Sequence, residues 1–201
     1  VRFLATVEPG GGAVVTLLLH GGDPLESGEA EREARALSGA TGASVRTSGL
    51  KPADVCSGDD FVVETYRLED GRELRYEQPE GFFSNPSHAA CQFSLGWLAR
   101  AARRASESRR GGGRGSLLEL YCGNGNHTVA MASAFDRVVG VELHPRLVSA
   151  ANRNLQRNGC GPGAVVVAAP SATFCKRALA TRGRSLGRVA GGRGGGAAAA
   201  P

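Results

Sequence analysis

The sequence predicts an α/β fold, a parallel sheet of nucleotide-binding type preceded by a small α+β unit. Three observations carry that reading. From residue 116 short apolar strands alternate with helices, the turn Cys122-Gly123-Asn124-Gly125-Asn126 follows the first of these strands, and Glu142 ends the second. Strands alternating with helices imply crossover connections and a parallel sheet. A glycine turn between strand and helix brings backbone N–H groups beside a ligand. Glu142 lies 19 residues after Gly123 (142 − 123), where such sheets place the carboxylate that accepts bonds from ribose hydroxyls.

The elements follow in order. Ala13–His20 is a β-branched and aliphatic run between glycine clusters and reads as a buried strand. Asp23-Pro24 is expected to open a helix, with Asp23 as N-cap, Glu26, Glu29, Glu31 and Glu33 at the positive end of its dipole, and Leu25, Ala30, Ala34 and Leu37 facing inward. Ser44–Ser48 and Phe61–Tyr66 alternate as strands, and Leu68–Tyr76 reads as a hairpin across Glu69-Asp70-Gly71. Phe82-Phe83-Ser84-Asn85-Pro86 breaks that pattern, and the spacing of Ala90, Phe93, Leu95, Leu98, Ala101 and Ala102 predicts a helix from Ser87 that dissolves into a linker-like Ser106–Gly115. Then come strand Ser116–Tyr121, helix Thr128–Ala134, strand Val138–Val141, helix Pro145–Asn158 and strand Ala164–Ala168. The expected domains are 1–80, a small acidic α+β unit, 81–181, the sheet with its turn, and 182–201, a tail. From Arg182 onward 7 Gly, 5 Ala and 4 Arg make up 16 of 20 residues, a composition that predicts disorder.

Composition narrows the function classes. The 201 residues are 41% hydrophobic and 21% charged, within the globular range. No run of 18 apolar residues occurs, so no membrane span is expected. Val1-Arg2-Phe3 has neither an initiator Met nor a signal-peptide layout, which suggests an interior starting point. Cys56, Cys91, Cys122, Cys160 and Cys175 stand at least 15 residues apart and form no C-x-x-C pair. That spacing argues against a structural zinc site and a disulfide framework, and favours a reducing compartment. His20, His88, His127 and His144 have no metal-ligand spacing. Residues 1–80 hold 8 Lys and Arg against 15 Asp and Glu, net −7, leaving 16 against 4, net +12, for residues 81–201. A polyanionic partner near the chemistry is one reading; arginines in a solvated linker (Arg100–Arg114) and in the tail are the other.

Two cofactor classes use the turn's geometry. A dinucleotide fingerprint wants a third small residue where Thr128 stands, and Asn124, Asn126 and His127 crowd the turn with polar groups. S-adenosylmethionine has no pyrophosphate to cradle. A polar turn for its amino-acid end, with Glu142 on its ribose, suits it better.

The segments Gly81-Phe82-Phe83-Ser84-Asn85-Pro86-Ser87, Leu118-Glu119-Leu120-Tyr121-Cys122-Gly123-Asn124-Gly125-Asn126 and Val139-Gly140-Val141-Glu142 closely resemble the tRNA (uracil-5-)-methyltransferase family. The likeness extends more loosely from the Val14–His20 strand to about Asn158. It implies an S-adenosylmethionine-dependent methyltransferase (Rossmann-like) sheet and an RNA partner, tRNA first, with the T-loop uridine as target. By the resemblance Tyr121, Asn126 and Glu142 are cofactor positions, and Gly123 joins them because a glycine of the turn allows close approach. Asn85 stands where bacterial members carry a Gln that faces cofactor and target base, and His127 replaces a Phe. Phe83 is a candidate for stacking on an extruded base, or a hydrophobic staple before the helix.

The resemblance also implies a mechanism. Uracil C5 is too poor a nucleophile to take the methyl group until a cysteine thiolate adds to C6; a carboxylate then removes the C5 proton and the thiolate leaves. The family's Ser-Cys-Asn-Pro nucleophile segment and Asp-Pro-Pro-Arg cofactor segment do not occur in residues 1–201. Cys122, Cys160 and Cys175 stand in other contexts and are assigned structural roles, so no catalytic residue is assigned. The expectation is an incomplete member with fewer strands than such a sheet normally has. Weighed beside it are a non-catalytic RNA-binding remnant, a nicotinamide-dependent oxidoreductase, disfavoured by Thr128, and a small-molecule methyltransferase, disfavoured by Phe82–Pro86.

Overall fold

The computed structural model describes residues 1–6, 11–18, 28–48, 55–109 and 113–180, and the chain falls into two units, Val1–Gly96 and Trp97–Pro201. In the first unit, β1 (Arg2–Ala5) pairs antiparallel with β2 (Ala13–Leu18), and β2 pairs in parallel with β3 (Ser44–Ser48). Helix α1 (Glu29–Thr41) connects β2 and β3, as a parallel pair requires. The short β4 (Cys56–Ser57) closes the sheet antiparallel to β3. Ala30 and Ala34 of α1 are buried, but Leu37 is 41% exposed, so the inward stripe is narrower than its spacing predicted. The helix begins at Glu29 behind a Gly28 with φ +88° and no side-chain cap, so Asp23 is not its N-cap. Asp23, Pro24, Leu25 and Glu26 lie outside the described residues, as do His20 and the tail from Thr181.

The predicted hairpin is present. β5 (Phe61–Arg67) pairs antiparallel with β6 (Glu73–Pro79), and Gly71 carries the positive φ of the turn between them. The buried Tyr66 and Tyr76 rings meet at 5.7 Å and 60°, a tilted aromatic pair. At the end of β6, buried Glu80 accepts from the Arg46 guanidinium of β3 at 2.9 Å, which ties hairpin to sheet.

Helix α2 (His88–Glu107) contributes residues to both units. Its buried positions are Cys91, Leu95, Gly96, Ala99, Ala102 and Ser106, while Phe93 of the predicted stripe is 68% exposed. The helix persists to Glu107, so Arg100, Arg103 and Arg104 are helical rather than part of a linker.

In the second unit the parallel sheet has the order β7 (Ser116–Leu120), β8 (Arg137–Glu142), β9 (Ala164–Ala168). α3 (Asn126–Ala132) links β7 to β8 and α4 (Pro145–Arg157) links β8 to β9, as predicted, and α5 (Ser171–Ala180), not foreseen, follows. Side chains of β8 alternate between faces. Val139 and Val141 pack with Phe174 of α5, whereas Gly140 faces Cys122 and Thr128. The two sheet edges differ. Asn152 of α4 bonds both the N–H (3.0 Å) and the C=O (2.8 Å) of Val166 in β9. Beyond β7 no strand pairs among the described residues, and Leu117 and Leu118 are only half-buried.

Gly140 is a close-packed point between the sheet and the turn. A Cβ there would lie 2.8 Å from Val166 Cγ2 and 2.9 Å from Cys122 Sγ. Gly140→Ala is therefore expected to destabilise the second unit by about 1–3 kcal/mol through overpacking, read as a lower urea midpoint. An unchanged midpoint would show that the sheet and turn are not pressed together there.

Candidate functional site

The carboxyl ends of β7 and β8 meet at one short turn. Cys122 N–H donates to Val141 O at 3.1 Å, which prolongs the β7–β8 pairing by a residue before the chain breaks away. Tyr121 breaks it, with φ +58°, and is the one non-glycine residue with positive φ among those described. A left-handed tyrosine stores strain of roughly 1–3 kcal/mol that the surroundings must hold in place. Its side chain is exposed. Gly123 (φ +58°) and Gly125 (φ +79°) take the remaining left-handed positions, and Gly125 is the N-cap residue of α3.

Glu142 fixes this turn. Its Oε2 accepts the Gly123 N–H at 3.0 Å, and its Oε1 accepts the N–H groups of Leu143 (2.8 Å) and His144 (2.9 Å). The Gly123 amide is therefore committed to Glu142 rather than presented to a ligand. Space in front of Gly123 is open, since an added Cβ would meet nothing within 4 Å. From α4, buried Asn154 donates through Nδ2 to Asn124 O at 3.0 Å.

Beneath the turn lies Glu119, the single acid of β7. Its Oε2 accepts from the buried Thr128 hydroxyl, and its Oε1 lies 3.6 Å from His127 Nδ1. That contact raises the His127 imidazole above its ordinary value against the opposing effect of burial. Burial, with the Glu119 and Glu142 charges adding to it, pushes the Cys122 thiol up to about 12. Cys122 is thus a neutral packing group at physiological pH, and all five cysteines are free thiols.

Tyr121, Gly123, Asn126 and Glu142 come together at this turn, with Asn126 opening α3. Asn85 and Phe83 belong to the first unit. Asn85 Oδ1 accepts the Ser87 N–H at 3.1 Å, and Ser87 Oγ in turn accepts the Ala90 N–H at 3.3 Å, so this asparagine shapes the start of α2. Phe83 is 89% exposed. The sequence did not single out Glu119, Asn154 or Gly140 as supports. A lone acid within Leu117-Leu118-Glu119-Leu120 was the available signal for the first; the other two show themselves only through contacts distant in sequence.

Comparison with known proteins gives the relatives of this chain. The family model described as tRNA (Uracil-5-)-methyltransferase matches residues 1–191. A tRNA/tmRNA (uracil-C(5))-methyltransferase of Chromohalobacter salexigens is 40% identical over 188 residues, covering 94% of this chain and 46% of that protein. One from Aromatoleum aromaticum is 42% identical over 167 residues, covering 83% and 41%. The chain thus spans less than half the length of these curated relatives. A solved Pyrococcus abyssi tRNA (uracil-54, C5)-methyltransferase in complex with S-adenosyl-L-homocysteine is 19% identical, with 79% of this chain and 36% of that one covered and a TM-score of 0.46.

Two measurements check the electrostatics. The His127 ring, followed by NMR, should titrate above its ordinary value, and fall back towards it in Glu119→Gln. A raised folded value means that the stabilisation from protonated His127 is full below the unfolded value and lost as pH rises through the folded one. An identical His127 midpoint in both proteins would remove Glu119 as the cause. Under native conditions at pH 8, iodoacetamide should modify exposed Cys56 first and leave buried Cys91 and Cys122 until last, since access is needed at both and the thiolate, the reacting species, is disfavoured at Cys122. Early loss of Cys122 would contradict the neutral thiol.

Proposed function

Because the chain belongs to the tRNA (uracil-5-)-methyltransferase family, we propose that residues 121–142 form an S-adenosylmethionine half-site of an enzyme that methylates C5 of uridine in tRNA. The observation that carries the proposal is the sign of the charge around the turn. Glu119, bonded to Thr128, and Glu142, bonded to Gly123, flank the turn, and after burial their charges add to the rise of the Cys122 thiol, so the side-chain charge there is negative. A sulfonium cation is favoured in such surroundings, and the doubly charged pyrophosphate of a dinucleotide is repelled. Thr128, hydrogen-bonded to Glu119, occupies the place of the small residue that a dinucleotide turn needs for close helix packing.

The chain's residues then divide the work of binding. An ionised carboxylate has about four acceptor sites; three N–H groups occupy those of Glu142, and Oε2 keeps one for a ribose hydroxyl. Open space at Gly123 admits the ligand, the Asn126 amide serves its amino-acid end, and the exposed Tyr121 ring offers an apolar face. S-adenosylmethionine supplies the electrophilic methyl group when bound. In the first unit Asn85 has Oδ1 engaged by Ser87, so Nδ2 is the group it can donate to a ligand. Phe83 is positioned by exposure to stack on an unpaired base. None of these groups is the nucleophile, and Cys122 is unsuited to that role.

Isothermal calorimetry on residues 1–201 tests the half-site. S-adenosylhomocysteine should bind saturably, Glu142→Ala should weaken it at least about tenfold, as loss of a charged hydrogen bond does, and NAD should give no saturable heat. Binding of NAD, or a folded chain that ignores S-adenosylhomocysteine, would overturn the cofactor assignment; the second result would favour an RNA-binding remnant.

A further inference from the structure

The opposite pole of the same sheet carries a second charged feature. Gly113 and Arg114 lead into β7, and Ser133 and Ala134 lead towards β8, so both segments lie at the amino ends of the strands, away from Tyr121 and Glu142. Together with the last turns of α2 they enclose a cleft of about 540 Å³ lined by Arg103, Ser106, Glu107, Arg109, Arg114 and Ser133 among others. Arg103, Arg109 and Arg114 are all exposed.

The arginines of the floor are held in place rather than loosely splayed. Arg114 donates from its backbone N–H to Asp136 Oδ2 (2.7 Å), from Nε to Asp136 Oδ1 (3.1 Å) and from a terminal nitrogen to Ser133 O (2.8 Å). Those bonds pull the Asp136 carboxyl below its ordinary value. The Arg109 guanidinium lies over Gly115, where a Cβ would come within 2.7 Å of its Nε. Charge bookkeeping then favours an anion. Only four acids follow residue 80, namely Glu107, Glu119, Asp136 and Glu142. Two of them belong to the turn at the far pole and a third is bonded to Arg114, which leaves Glu107 against Arg103 and Arg109, with Arg100 and Arg104 on the same helix.

We propose that this cleft is a second RNA contact, taking phosphate groups of the backbone at a distance from the nucleoside being modified. Five residues of β7 separate the poles, about 17 Å at strand rise, a length that a few stacked nucleotides span. The choice of RNA over another polyanion rests on the function proposed above; the charge and the cleft do not. Arg103 and Arg109 would each neutralise a phosphate, adding affinity and salt dependence but no base specificity.

The test uses a fluorescently labelled RNA hairpin and residues 1–201, with affinity followed across a salt series. Arg103→Ser/Arg109→Ser should weaken binding at least about fivefold at low salt and reduce the slope of log K against log salt by about 1.4, two single-strand phosphate contacts. Arg103→Lys/Arg109→Lys should retain most of the slope. Arg32→Ser/Arg35→Ser, which removes the same charge from exposed positions of α1, should change neither quantity. Equal losses in the α1 variant would reduce the effect to net charge and overturn the proposal, as would an unchanged slope in the cleft variant or no RNA binding by the parent chain. Polyglutamate competing as well as RNA would reassign the cleft to an acidic protein. S-adenosylhomocysteine binding is measured on the same variants: retained there while RNA binding is unaffected, it sinks the cleft and spares the half-site; absent from the parent while the cleft variant loses RNA, it does the reverse.

Discussion

One carboxylate holds the candidate site together. Glu142 stands at the last position of β8 and gathers three backbone N–H groups, one from the turn after β7 and two from the residues that lead into α4. Charge-assisted bonds of this kind are roughly twice as strong as neutral ones. They join the turn after β7 to the β8–α4 junction, whose relative positions the sheet alone would leave loosely set. Because Gly123 donates to Glu142, the turn can close only if β7 and β8 are in register, and that register is what brings Cys122 under Val141. Gly140 lets Cys122 and Thr128 press against β8, and Thr128 in turn engages Glu119. The strained Tyr121 backbone is supported on both sides by this arrangement.

The second unit is polarised along its strands. Acidic side chains collect at the carboxyl ends, where Glu119 and Glu142 raise the thiol between them, and arginines collect at the amino ends around Gly113 and Gly115. A parallel sheet makes such a separation possible because all its strands point the same way, so each end of the sheet gathers one kind of loop. A cationic small molecule and a polyanion can then be served by one sheet without competing for the same charges. The edges differ too: an asparagine amide satisfies both polar groups of Val166 on β9, while β7 presents half-buried leucines. Unpaired apolar edges invite further pairing.

Much of this was legible in the sequence because it depends on local chemistry. Apolar strands, a glycine turn, Pro145 at the start of a helix and an acid closing β8 located the second unit's elements to within a residue or two, and the motif around Tyr121 identified the family that the comparisons show. Contacts that bridge distant positions were not legible. Nothing near Asn154 signals its bond to Asn124, thirty residues away, and nothing around Leu37 or Phe93 says that these apolar residues stay exposed. Periodicity placed the helices but overstated their buried stripes, because a small-residue face of Ala30 and Ala34 suffices for α1. Helix α5 was missed; its packing residues, Phe174 and Ala178, are four apart and too few to show a period. Gly28 rather than Asp23 precedes α1, since a glycine left-handed backbone can end a turn without a capping side chain.

Amide NMR of residues 1–201 during titration with S-adenosylhomocysteine reads the turn itself. Saturable shifts are expected at Tyr121, Gly123, Asn126, Leu143 and His144, with Arg103 and Arg109 at the other pole unmoved. A saturable response confined to other residues, or none from a folded chain, would contradict the claim that Glu142 and its turn form the cofactor's seat.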